Sequence, residues 1–231
     1  MDLVLAGFRE ALRLLLTGDA EIWSILWLSL AVSGTGTLLS LLVGVPAGAA
    51  LALLRFPGRT AVVAGVNAGM GLPPVVVGLF VTLLLWRSGP LGGWELLYTP
   101  AAIVLAQALI AAPIVTGITL AAVQSVPEAF RVQLYGLGAS RPQMLWIVLR
   151  EARLPMLAAV MAGFGAVISE IGASMMVGGN IKGQTRTLTT AMVLETGKGN
   201  FEIAIALSLL LLALVFAVNW ALTSIQQRRR S

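Results

Sequence analysis

Two polar stretches could do chemistry in a chain that is otherwise almost entirely hydrocarbon. The first is residues 178–187, Gly-Gly-Asn-Ile-Lys-Gly-Gln-Thr-Arg-Thr. It brings glycine-freed backbone amides at Gly179 together with the Asn180 amide, the Thr185 and Thr187 hydroxyls and two cations, Lys182 and Arg186. Donors of this kind suit an oxyanion or a docked protein, and a solvated loop has the same composition. The second is residues 125–155, with Arg131, Arg141, Arg150 and Arg153 against only Glu128 and Glu151. Pro127 opens a short helix there, with Phe130 and Leu134 on one face at i and i+4. Gly136 and Gly138 allow a tight turn. Ser140 begins a second helix, with Pro142 in its first turn and Gln143 at capping-box spacing. Met144, Leu145, Ile147 and Val148 then form an apolar stripe. Helix, glycine turn and helix make a compact projection that a soluble partner can grip, although an ordinary interhelical loop has these features too.

Two further candidates lie inside apolar runs. Gly71-Leu72-Pro73-Pro74 removes two backbone donors and breaks a helical ladder. In lipid such a break is tolerated against protein or a water-lined cavity, so Pro73 and Pro74 are candidates for a pathway lining or for a packed kink. Glu170, beside Ser169, is an acid well inside an apolar stretch, and because an intramembrane carboxylate is a functional candidate both residues are candidates for the translocation pathway. A bare carboxylate on an anion pathway is unfavourable, so a hydrogen-bonded structural role is the preferred reading of Glu170. Catalysis has little to work with. The chain has no cysteine and no histidine, which removes thiolate chemistry, the commonest metal ligand and the commonest general base. No Gly-x-x-x-x-Gly-Lys-Ser/Thr loop is present to cradle ATP.

The elements that must position these residues are membrane helices. The chain of 231 residues is 58% hydrophobic and 11% charged, with a mean hydropathy of +0.93. Its net charge of +5 sits beside apolar spans, which favours lipid head groups over nucleic acid as the partner. Residues 2–17 form an interfacial helix candidate with Leu5, Phe8, Leu12 and Leu15 or Leu16 on one face. Five spans are expected, near residues 22–54, 60–86, 96–124, 154–177 and 203–225. Gly44-x-x-x-Gly48 and Gly65-x-x-x-Gly69 offer small-residue packing surfaces. Residues 125–153 form the connecting insert and residues 178–202 the second loop, whose apolar segment from Leu188 to Thr196 is too short to cross. Placing the insert in the cytoplasm puts nine basic residues inside, including Arg228 to Arg230, and six outside. That bias predicts an outside N-terminus and a cytoplasmic C-terminus. The whole chain, 1–231, reads as one all-α membrane domain.

Ser125-Val126-Pro127, Leu137-Gly138-Ala139-Ser140 and Arg141 resemble the coupling loop of permease subunits of binding-protein-dependent ABC importers. With Gly138 as anchor, the family's Glu-Ala-Ala triplet falls on Val132-Gln133-Leu134, where neither the acid nor the alanines are present. The family's Leu-Pro is met four residues late, at Leu154-Pro155. The resemblance extends over nearly the whole chain and is strongest to the molybdate, sulfate and tungstate group. Its tungstate branch is similar at Gly71-Leu72-Pro73-Pro74-Val75-Val76-Val77-Gly78, Arg87-Ser88-Gly89-Pro90-Leu91-Gly92, Gln143-Met144-Leu145-Trp146 and Met175-Met176-Val177-Gly178-Gly179-Asn180-Ile181, and it tolerates a degenerate triplet.

The resemblance implies a type I ABC importer permease that moves a tetrahedral oxyanion across a bacterial or archaeal inner membrane. Tungstate is the first choice, with molybdate or sulfate as the alternatives within the class. It implies a homodimer, two ATP-binding cassette subunits and an extracytoplasmic oxyanion-binding protein. No cofactor is expected in this chain, and ATP-Mg belongs to the partner ATPase. The coupling residues implied are Arg131, Leu137, Gly138, Ala139, Ser140 and Arg141. Residues 178–187 resemble the outer loop that faces the binding protein. A stand-alone anion channel or secondary carrier is the reading from a different class.

Overall fold

The computed structural model describes residues 2–228, and these form helices and loops with no strand among them. Helix α1, Asp2–Leu16, is followed by α2, Ala20–Leu53, whose start is capped by the Asp19 carboxylate accepting from the Ile22 N–H at 3.0 Å. At 34 residues α2 is about 50 Å long, more than the hydrocarbon thickness requires. Helix α3, Arg59–Met70, and α4, Pro74–Leu85, form one apolar path bent by 101°. A short 3-10 turn, Gly92–Trp94, leads to α5, Pro100–Gln124. Helices α6, Glu128–Gly136, and α7, Arg141–Glu151, build the insert. Then come α8, Arg153–Ile168, α9, Gly172–Gly178, α10, Leu188–Gly197, and α11, Phe201–Arg228. Three helices, α2, α5 and α11, are long and apolar enough to cross a membrane, or up to five spans if each bent pair is one. Arg229 and Arg230 of the closing basic run lie outside the described residues.

Helices α2 and α5 run side by side in the same direction and form the spine of the bundle. Gly36 meets Gln107, Gly44 meets Val115, and Gly48 meets Thr116 and Thr119. At Gly48 a Cβ would lie 2.5 Å from the Thr116 carbonyl oxygen, so only glycine lets the two backbones approach this closely. The Gly44 and Gly48 pair therefore packs as its spacing predicts. In the second pair only Gly69 is in contact, with Pro113, and Gly65 faces open space. Buried hydroxyls at Ser29, Ser33, Thr37 and Ser40 line the inner face of α2. Ser29, Thr37 and Ser40 donate to carbonyls of their own helix at about 2.7 Å, which keeps these polar groups satisfied in an apolar setting.

The other elements close around that spine. On α1 the small line Gly7, Ala11 and Leu14 is buried against α11, and a side chain at Gly7 would run into Ile205. The apolar stripe read from the sequence, Leu5, Phe8, Leu12 and Leu16, is left on the outside, where lipid can cover it. The expected span 154–177 is divided in the structure: α8 stops at Ile168 and α9 begins at Gly172. The apolar segment from Leu188 is the helix α10, packed on α11 through Leu188 and Ala191.

Candidate coupling and docking sites

The insert has the construction that its residues require. Pro127 sits at the start of α6, and Leu134 is buried with Phe130 packed beside it. The Leu137, Gly138 and Ala139 N–H groups return to the carbonyls of Gln133, Tyr135 and Leu134 at 3.0 Å each. Gly138 has φ +81°, a left-handed conformation that L side chains avoid. The Ser140 N–H donates to the Gln143 Oε1 at 2.8 Å, which is the reciprocal half of a capping box. Met144 and Val148 are buried with Val126, Leu134 and Ala152, so both short helices rest on one apolar cluster at the ends of α2 and α5. Of the predicted apolar stripe, Leu145 is turned out and Ile147 is half-buried. The tip is left bare: Leu137 is 84% exposed, and Val132, Tyr135 and Trp146 are exposed around it. Arg141 and Ser140 are exposed, Ala139 and Arg131 half-buried, and the Arg150 guanidinium lies 5.2 Å over the Trp146 ring. A rigid apolar tip ringed by arginines is a surface for a protein groove.

At the opposite end, the loop between α9 and α10 turns through three left-handed residues, Gly179, Asn180 and Gly183. Most of its polar side chains face inward. Thr185 is buried, donates its hydroxyl to the Gly178 carbonyl and accepts from the Ile181 N–H. Thr187 caps α10, and the Leu188 N–H donates to the Ser29 hydroxyl at 2.8 Å. The Asn180 amide reaches the Thr190 carbonyl at 3.4 Å. Both cations are paired with one acid: Lys182 Nζ lies 2.6 Å from Glu21 Oε2, and Arg186 Nη1 lies 3.3 Å from Glu21 Oε1. The surface left for a partner is therefore Gly179, Ile181, Lys182, Gly183 and Gln184. Nearby, the Glu195 carboxyl is held below its ordinary range by hydrogen bonds from Asn200 and Lys198, and the Glu10 carboxyl by Arg13.

The candidates inside the bundle separate. Leu72 precedes a proline and is barred from the helical region, so α3 ends and α4 starts afresh on Pro74. Pro73 and Pro74 line a cavity of about 280 Å³ between α3, α4, α5 and α8, with Met70, Leu109, Ile114 and Ala166. Ser169 and Glu170 do not line it. The Ser169 hydroxyl donates to the Gly165 carbonyl at 2.7 Å. Glu170 is 9% exposed; its Oε1 accepts from the Ala173 N–H at 2.8 Å and its carbonyl accepts from the Thr189 hydroxyl at 2.9 Å. The carboxylate thus caps α9. Sequence reasoning passed over Glu21 and Ser29, which organise the loop from α2. The hydroxyls of α2 recurring at helical spacing were the available signal for Ser29. Nothing local marks Glu21, because its partners are more than 160 residues away.

A multi-pass helical bundle that projects a rigid helix–turn–helix, with no nucleotide loop of its own, has the build of an importer's membrane subunit. The chain belongs to the family of binding-protein-dependent transport system inner membrane components, whose model matches residues 44–231. It is similar to the probable anion ABC transporter permease protein of Haloferax volcanii, 45% identical over 201 residues and covering 85% of this chain and 87% of that one. It is also similar to the tungstate uptake system permease protein TupB of Peptoclostridium acidaminophilum, 37% identical over 98% of this chain and all of the relative. TupB of Campylobacter jejuni is 33% identical over 95% of this chain and 92% of the relative. In fold it matches the inward-facing MetNI methionine ABC transporter, with a TM-score of 0.74 at 19% identity over 91% of this chain and 98% of that one. The chain is thus a multi-pass inner-membrane permease that works with ATPase and binding-protein partners.

Proposed function

We propose that this permease moves a tetrahedral oxyanion, tungstate first and molybdate second, through a pathway formed by two copies of the chain. The observation that carries the coupling half of this reading is the bare, rigid tip at Leu137 to Ser140, held out by a left-handed glycine. The substrate half is supported by the TupB relatives and by the anion permease of Haloferax volcanii. With five passes, the surplus of arginines on the insert supports a cytoplasmic position for it, and residues 178–187 and the N-terminus then lie outside. A loaded binding protein docks on the outer face. ATP closes two cassette subunits, and the tips at Leu137, Gly138, Ala139 and Ser140, flanked by Arg131 and Arg141, ride in clefts on them. The motion passes through the α2 and α5 spine and alternates the access of the pathway. The broken helix at Pro73 and Pro74, beside its cavity, is the candidate lining, whereas Ser169 and Glu170 hold the α8–α9 break in shape.

The test is co-purification with the natural ATPase, followed by ATPase assays in liposomes. Binding protein is added with tungstate, molybdate or sulfate. Stimulation by the tungstate-loaded protein alone supports both coupling and substrate. Equal stimulation by molybdate keeps the importer and removes the preference. Transport by this chain with no ATPase present would replace the reading with that of a stand-alone carrier.

A further inference from the structure

We infer that Glu21 is a positioning residue for delivery, a carboxylate on α2 that holds the α9–α10 loop in the shape a binding protein recognises. The inference rests on the reading of residues 178–187 as the binding-protein face. The Asp19 cap fixes the first turn of α2 and sets Glu21 at the rim of the bundle. Both carboxylate oxygens are engaged, one by Lys182 at 2.6 Å and the other by Arg186 at 3.3 Å. These two cations flank Gly183 and Gln184, the crest of the loop.

The loop needs such an anchor. Within itself it closes on the Ile181 carbonyl, which accepts from the N–H groups of Gln184, Thr185 and Arg186. Those bonds set its curl but do not fix its position on the bundle. Its base is tied by the Leu188 N–H to Ser29 and by the Tyr98 N–H to the Val177 carbonyl. Between these ties, Gly179 lies against the Tyr98 ring and Thr185 is buried, while the polar links from the crest to the remainder of the protein are the long Asn180 bond and the pairs with Glu21. The Arg186 side chain is only 16% exposed, whereas that of Lys182 is 68% exposed. Arg186 is thus the inner strut, and Lys182 lies across the acid on the solvent side. A surface ion pair contributes little to global stability, so the effect of Glu21 falls on loop position. A partner that must find an ordered loop bears the ordering cost when the loop is loose.

The chain has no cysteine, so a spin label attached at Gln184→Cys before the complex is assembled reports on the crest alone. The assay compares the complex with and without Glu21→Gln in two measurements. One is the label's line shape, and the other, taken on the complex with Gln184 intact and unlabelled, is the binding-protein concentration that half-saturates ATPase stimulation in liposomes. Glu202→Gln, which removes the same charge at the first turn of α11, is the control. The expected result is a more mobile label and a half-saturating concentration raised about 3- to 10-fold. The maximal stimulated rate and the thermal midpoint stay near those of the parent, and the Glu202 control changes neither readout. A mobile label with unchanged half-saturation overturns the inference, as does an unchanged label. If binding protein fails to stimulate the parent complex at all, the delivery reading itself fails, and the label still reports whether Glu21 orders the loop.

Discussion

Glu170→Ala separates a structural carboxylate from one on the pathway. In the folded protein the Glu170 Oε1 accepts from the Ala173 N–H at 2.8 Å, at the start of a helix of only seven residues. Truncation leaves that buried N–H without a partner. A lost helix cap costs about 1 kcal/mol, and an unsatisfied buried donor costs about 1–3 kcal/mol. These describe the same event and are not summed, so the expected loss is about 1–3 kcal/mol. A chain of this size shifts by roughly 2–4 °C per kcal/mol, which gives a fall in thermal midpoint of roughly 2–12 °C. Glu170→Gln keeps an oxygen in the same place and loses only the interaction of the charge with the helix dipole, about 0.3–1 kcal/mol. Thermal unfolding followed by tryptophan fluorescence, with anion uptake measured in liposomes, reads both effects. A glutamine variant that unfolds like the parent yet loses uptake would refute the capping account, because the charge itself would then be acting on the pathway.

At the coupling tip, Gly138→Val forces a β-branched residue into φ +81°, where an L side chain costs about 1–2 kcal/mol. The permease should still insert, with less anion moved per ATP hydrolysed; normal coupling in this variant counts against the role assigned to the tip. In the spine, Gly48→Ala puts a Cβ 2.5 Å from the Thr116 carbonyl oxygen, whereas Gly65→Ala meets nothing within 4 Å. Overpacking of about 1–3 kcal/mol is expected at the first and no loss of packing at the second, measured as the difference in thermal midpoint. Glu195 titrates below its ordinary value of 4.5 because Asn200 and Lys198 donate to it. Its contribution is therefore complete above that value and is lost as the pH falls through the folded one. Glu195→Gln should flatten that acid limb in unfolding measured against pH.

The membrane character, the projecting insert and the broken helix at Pro73 were all legible in the sequence. They rest on composition, on caps and on proline, which act within a few residues. Gly138 was legible because a glycine between two capped helices is where a left-handed turn belongs. The division of the span at Ser169 to Ile171 was not, since an apolar run carries no mark of a break when the break is satisfied by one carboxylate. The polarity of residues 178–187 pointed to an exposed set of donors, yet Thr185 and Thr187 are buried and the cations are neutralised from α2. Composition records which donors exist, and only the fold decides which of them are already occupied. Glu21 shows the limit most plainly: at the start of α2 it looks like any first-turn acid that complements the helix dipole.

The pairing of Lys182 and Arg186 with Glu21 has a kinetic consequence. The segments outside the spans on the side of this loop carry six basic residues, Arg9, Arg13, Arg87, Lys182, Arg186 and Lys198, and seven acids, Asp2, Glu10, Asp19, Glu21, Glu95, Glu195 and Glu202. Arg13, Lys182, Arg186 and Lys198 each lie against an acid. Such a mouth has no electrostatic catchment, so a free dianion drifting nearby is neither drawn in nor concentrated. On the delivery proposed above, cargo reaches it by the collision of one protein with another, and the rate of supply follows the concentration of loaded carrier.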